Sequence, residues 1–92
     1  MYVILTYDIS LDDNGQKILR NVFKLCKSYL THIQDSVFEG ELSESQILKL
    51  NLELKKHIRK EKDSVILFKS RHERWLEKEF WGKQDNALSN LI

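Results

Sequence analysis

The chain has 92 residues, enough for one domain, with 41% hydrophobic and 32% charged side chains and a formal net charge of +1. That balance excludes a disordered chain and a globally basic nucleic-acid binder, so any phosphate-binding surface must come from local clustering of the 15 lysines and arginines. Cys26 is the only cysteine, which excludes an internal disulfide, and no apolar run approaches the roughly 20 residues that span a bilayer.

Residues 2–9, YVILTYDI, form a near-continuous apolar run and read as a central strand buried on both faces. Alternation puts Val3, Leu5, Tyr7 and Ile9 on one face and Tyr2, Ile4, Thr6 and Asp8 on the other. SLDDNGQ is turn-like and offers Asp12, Asp13 and Asn14 as helix caps. A helix to about Tyr29 follows. Ile18, Val22, Leu25, Cys26 and Tyr29 share one of its faces, and Lys17, Arg20, Lys24 and Lys27 form its polar edge.

THIQDSVFEGEL switches to β-type residues and reads as one kinked strand or two short ones reversing near Asp35, with Gly40 placed to relieve a bulge. Ser43 and Gln46 have the spacing of a capping box and open a second helix, to about Arg59, with Ile47, Leu50, Leu54 and Ile58 along one face. DSVILFKS is the next strand. EKEFW, residues 77–81, is expected to add a short one, while DNALSNLI is too aperiodic for a helix. The order predicts a ferredoxin-like βαββαβ α+β sandwich with an extra C-terminal strand, divided into a domain over residues 1–76 and a strand and tail over 77–92. Both helices then cover one face of the sheet. A core this small leaves the other face needing cover, and a homodimer is the simplest source. The single cysteine and the lack of a basic, apolar leader predict a cytoplasmic protein with no membrane segment.

Asp8 is the residue with the most chemistry to explain. An unpaired carboxylate costs several kcal/mol (order of magnitude) to bury, so it needs water, a cationic partner or a metal. With Asp12 and Asp13 close behind, three carboxylates are expected to crowd one end of the sheet. Oxygen ligands of this kind suit Mg²⁺, and two copies of Asp8 across a dimer could share one ion. The alternative is that Asp8 caps the turn or pairs with a lysine. His32, His57 and His72 lack zinc-site spacing, and neither phosphate-loop glycine motif is present. Trp75, Phe80 and Trp81 suit either base stacking or cover for a sheet edge. Lys17 and Arg20 near the first helix start, and Lys69, Arg71 and Arg74 after the last main strand, are the candidate phosphate contacts. They are expected to approach one end or edge of the sheet.

YVILTYDI, IQDSVFEGEL, KKHIRKEKDSVILFK and the ending WGKQDNALSNLI together resemble the Cas-two family of CRISPR-associated proteins, in order and spacing, over nearly the whole chain. The resemblance implies a ferredoxin-like homodimer whose C-terminal strand pairs with the partner's sheet. It implies a Mg²⁺- or Mn²⁺-dependent endonuclease acting on RNA or DNA, with Asp8 as the catalytic and metal-binding residue at the dimer interface. It also implies spacer acquisition for antiviral defence, as a scaffold and DNA-backbone binder between dimers of the Cas-one integrase. Duplex DNA and single-stranded RNA are then the expected nucleic-acid partners, and WGKQDNALSNLI the expected docking element. Many members carry arginines after the YDI turn and in place of His32, whereas this chain has Gln16, Lys17 and Arg20 after the turn. Without Asp8 chemistry the same fold would be a purely structural adaptor or a generic ligand-binding domain.

Overall fold

A computed structural model of the chain describes residues 1–82. β1 (Tyr2–Asp8), α1 (Gly15–Tyr29), β2 (Thr31–Gln34), β3 (Val37–Glu41), α2 (Glu44–Leu54) and β4 (Ser64–Ser70) follow in order, and a short 3₁₀ turn covers Glu73–Trp75. The four strands form one antiparallel sheet in the order β2-β3-β1-β4, with β1 central as its composition predicts. This is the ferredoxin-like arrangement.

The alternation along β1 sorts the two faces. Val3, Leu5 and Tyr7 point under the helices and join Val22, Cys26, Phe38, Leu50 and Leu54 in one core. Phe38 and Leu5 are fully enclosed, each burial being worth about 1.5–3 kcal/mol. Burial pushes the Cys26 thiol up to about 12, so Cys26 is core and inert at neutral pH. α1 and α2 are tied by the Tyr29 hydroxyl, which donates to Glu53 Oε2 at 2.9 Å. The expectation that β1 is buried on both faces holds only in part. On the open face Tyr2 is buried, Ile4 and Thr6 are half-buried and Asp8 is exposed.

Local signals explain most boundaries. The capping box forms: Gln46 N–H donates to Ser43 Oγ at 3.1 Å and Ser43 N–H to Gln46 Oε1 at 2.8 Å. The β2–β3 reversal falls at Asp35, whose φ of 39° is left-handed. The bulge lies in β2 between His32 and Gln34 rather than at Gly40. Gly40 instead admits Leu30, whose Cδ2 would stand 3.0 Å from an added Cβ. α2 stops at Leu54, short of Arg59, and continues as turns in which the Lys56 and His57 N–H groups reach only three residues back; Asp63 then captures the Arg59 N–H at 2.8 Å.

Residues 77–81 form no strand within the single chain. An extended segment needs a free sheet edge to pair with, and this one lies across the open face instead. There, residues 78–82 face Ile4, Ile33 and Val37 across a shared recess, with the Lys78 ammonium on Glu39. The remainder of the predicted tail, residues 83–92, lies outside the described residues. No helix among the described residues is long and apolar enough to cross a membrane.

Gly15 opens α1 in contact with the preceding turn. An added Cβ would collide with the Ser10 carbonyl oxygen, which is backbone and has little room to yield. Gly15→Ala is expected to cost about 1–3 kcal/mol, as overpacking does. Thermal unfolding should register this as a Tm decrease of about 4–8 °C per kcal/mol.

Candidate functional site

Asp8 ends β1 opposite Ser64 of β4, on the open face of the sheet. Among the described residues its carboxylate accepts no hydrogen bond and joins no ion pair, so neither a turn cap nor a lysine pair accounts for it there. The strand neighbours on its face are Thr6 and Ile4, flanked on β4 by Ile66 and Phe68, which remain 51% and 57% exposed. The carboxylate thus stands at the edge of an uncovered apolar patch.

Asp12 and Asp13 do not join it. Asp12 is clamped by the Arg59 guanidinium and by Lys62, whose Nζ lies 2.9 Å from Oδ2. These two cations hold the Asp12 carboxyl far below the usual carboxylate range. No three His, Cys, Asp or Glu side chains among the described residues stand close enough to share a metal. The expected crowd of three carboxylates is therefore absent from the single chain, because two lysine- and arginine-bearing turns of the α2–β4 connection engage Asp12 first.

The loop behind Asp8 is set by Asp63, a residue for which no role was expected beyond the strand motif. Its side chain is fully enclosed. Oδ1 accepts from Ser10 N–H at 3.0 Å and from Arg59 Nη2 at 3.1 Å, and Oδ2 accepts from Arg59 N–H at 2.8 Å and Nε at 3.0 Å. Arg59 Nη2 also donates to the Ser10 carbonyl at 2.8 Å. One carboxylate and one guanidinium so bind the residue two past Asp8 to the start of β4. The only sequence signal is an Arg and an Asp four apart, which on its own reads as a surface pair.

The basic residues divide. Lys17 and Arg20 lie on α1, near the Asp8 end of the sheet. Lys69 is near the end of β4, where Tyr2 pairs with Ser70, and Arg71 and Arg74 follow it. Since β4 runs antiparallel to β1, the second group stands at the opposite end of the sheet and does not converge with the first. All five are exposed. Trp75 and Trp81 are exposed, and Phe80 is partly buried beside the open face.

Residues 1–78 match the family described as CRISPR associated protein Cas2. The CRISPR-associated endoribonuclease Cas2 of Fusobacterium nucleatum subsp. nucleatum is 54% identical over 92 residues, covering 100% of this chain and 87% of that protein. A crystal structure of a Cas2 protein superposes with a TM-score of 0.80 at 34% identity, covering 92% of this chain and 90% of the other. The crystal structure of Streptococcus pyogenes Cas2 at pH 6.5 superposes with a TM-score of 0.73 at 30% identity, covering 87% of this chain and 100% of that one.

Arg59 lowers the Asp63 pKa from 3.8 to about 2, with the Arg59 and Ser10 N–H groups adding to the effect against the cost of burial. A depressed carboxylate stabilises the fold above its unfolded pKa, and that contribution is lost as pH falls through the folded value. Asp63→Asn should therefore cost roughly 3 kcal/mol at neutral pH, as breaking a buried pair does. The Tm gap between wild type and variant should narrow as the pH is lowered from about 4 to about 2, which melts across that range will measure.

Proposed function

Because the chain belongs to the Cas2 family of CRISPR-associated proteins, we propose that it works as a homodimer in spacer acquisition, with a metal-dependent phosphodiesterase centre at Asp8. The observation that carries this reading is the position of Asp8: exposed, without a protein partner among the described residues, and bordering the apolar patch of Ile66 and Phe68. A second copy seated on that patch would cover it and bring a second Asp8 to the same interface. Relatives named endoribonuclease support phosphodiester chemistry.

The donor set fits a hard divalent cation. Mg²⁺ takes one or two carboxylates and keeps several waters, so an Asp8 pair suits it, and Mn²⁺ accepts the same oxygen ligands. When bound, such an ion polarises a phosphodiester and makes its water more acidic. The protein's share is to present the carboxylates at the interface, to seat the phosphates on Lys17 and Arg20, and to fix the loop after Asp8 through Asp63.

The physiological role we assign is scaffolding between dimers of the Cas-one integrase, with the nuclease activity intrinsic to the dimer. Lys69, Arg71 and Arg74 favour this assignment, because they form a second exposed basic region away from Asp8, suited to duplex phosphates. Integrase binding is expected to survive Asp8→Asn and to fail on truncation after Lys78.

Two measurements test the centre. Wild type should cleave RNA or DNA with Mg²⁺ or Mn²⁺ and not with EDTA, and Asp8→Asn should lose more than the roughly 10–100-fold typical of outer-shell changes. Equal cleavage by both would remove Asp8 from the chemistry and leave a structural adaptor. Phe68→Glu should convert dimer to monomer in sedimentation velocity and lower cleavage with Asp8 intact.

A further inference from the structure

α1 carries a charge pattern that helix stability does not explain. Lys17, Arg20, Lys24 and Lys27 recur at intervals of three and four residues, so they form one stripe about 15 Å long. No acidic residue occurs anywhere in the helix. Like charges at this spacing repel, and Lys17 sits in the first turn, where the helix dipole disfavours a cation. None of the four forms an ion pair among the described residues, whereas Arg59, Lys62 and Lys78 all do; Lys27 alone is accounted for within the chain, in the last turn of the helix and 5.7 Å over the Phe23 ring.

Beside the middle of this stripe lies a recess of about 500 Å³, within the range of about 300–1,000 Å³ that holds small organic groups. Tyr7, Leu19 and Phe23 give it an apolar wall, and Arg20 and Lys24 stand at its rim. Asp35, on the β2–β3 turn across from them, supplies an acceptor. The Tyr7 and Phe23 rings are braced against Phe38, with centroids 6.0 and 5.6 Å away. A fixed aromatic wall beneath two cations matches a flat, apolar-faced group attached to a phosphate.

We propose that this recess takes one unpaired base of a single-stranded nucleic acid whose phosphates run along Lys17, Arg20, Lys24 and Lys27. A paired base is stacked inside a duplex and cannot enter, so the site selects single strands. Tyr7 in the wall and Asp8 at the candidate metal centre are consecutive residues at one end of β1, facing opposite sides of the sheet. A captured base therefore fixes which phosphate reaches that end. The inference rests on the reading of the chain as a nucleic-acid-processing protein and adds a base-binding subsite to it.

The test is binding in EDTA, by fluorescence anisotropy of the dimer across rising salt. The probes are a single-stranded oligonucleotide, the same backbone with abasic sites, and the matching duplex. Wild type is expected to bind the base-bearing strand about tenfold more tightly than the abasic one, the scale of one stacked base. Leu19→Trp, which fills the recess, should erase that preference while leaving abasic binding unchanged. The double variant Arg20→Ala/Lys24→Ala should weaken both strands alike and flatten the salt dependence by about 1.4 in log–log slope. Equal binding of base-bearing and abasic strands by wild type would overturn the proposal, whether or not Leu19→Trp folds; duplex, which the Lys69, Arg71 and Arg74 region also takes, should bind wild type and Leu19→Trp equally. Loss of the base preference with metal-dependent cleavage intact would remove the pocket alone. A preserved preference with no cleavage would remove the nuclease reading alone.

Discussion

The structure depends on one enclosed carboxylate. Asp63 is taken out of water and made tolerable by four donors, three of them from Arg59 and one from the backbone of Ser10. An unpaired charge in that position would be strongly destabilising, so the pair forces the α2–β4 connection and the β1–α1 loop together. Its reach extends further than its own contacts. It closes the turns that follow α2 by capturing the Arg59 N–H, and it brings Arg59 to Asp12. It also anchors Ser10, against whose carbonyl Gly15 must pack as α1 begins. The tie fixes the loop that leaves Asp8, while the face on which Asp8 stands follows from strand alternation.

The sheet then separates two environments. Under the helices, β1 contributes Val3, Leu5 and Tyr7 to a core with Phe38 at its centre. On the other side the same strand presents Tyr2, Ile4, Thr6 and Asp8. The tail covers only the β2–β3 portion of that side, pinned where the Tyr2 hydroxyl and Lys78 ammonium both reach Glu39. Burial works against the Glu39 charge, but those two donors outweigh it and keep its pKa low. The β4 portion, with Ile66 and Phe68, stays open. An apolar area beside a free carboxylate is what a symmetric partner would cover, and the two-faced strand places catalytic and base-binding candidates one residue apart.

Much of this was legible in the chain. The period of two in YVILTYDI assigned faces, and the stripe in residues 15–29 defined a helix. The Ser43–Gln46 capping box marked a start that forms as expected, and the reversal near Asp35 falls where β-type residues are interrupted by polar ones. These are local: each rests on backbone preference or on neighbours within a turn. The sequence also singled out Asp8, since a charged residue directly after an apolar strand is informative wherever the strand lies.

What escaped the sequence was everything set by residues distant along the chain. Asp12 read as a helix cap or as one of three crowded carboxylates because its partners, Arg59 and Lys62, are about fifty positions away. Two basic groups that seemed able to converge lie at opposite ends of the sheet because β1 and β4 are antiparallel. The segment 77–81 has strand-like residues but lies across the open face of the sheet rather than along either edge strand, β2 or β4. By itself, then, the sequence determined the elements, their order and the face on which each side chain stands, because those follow from local geometry. Only the tertiary structure decided which charges are neutralised and which stay free, since electrostatic pairing depends on distance in space.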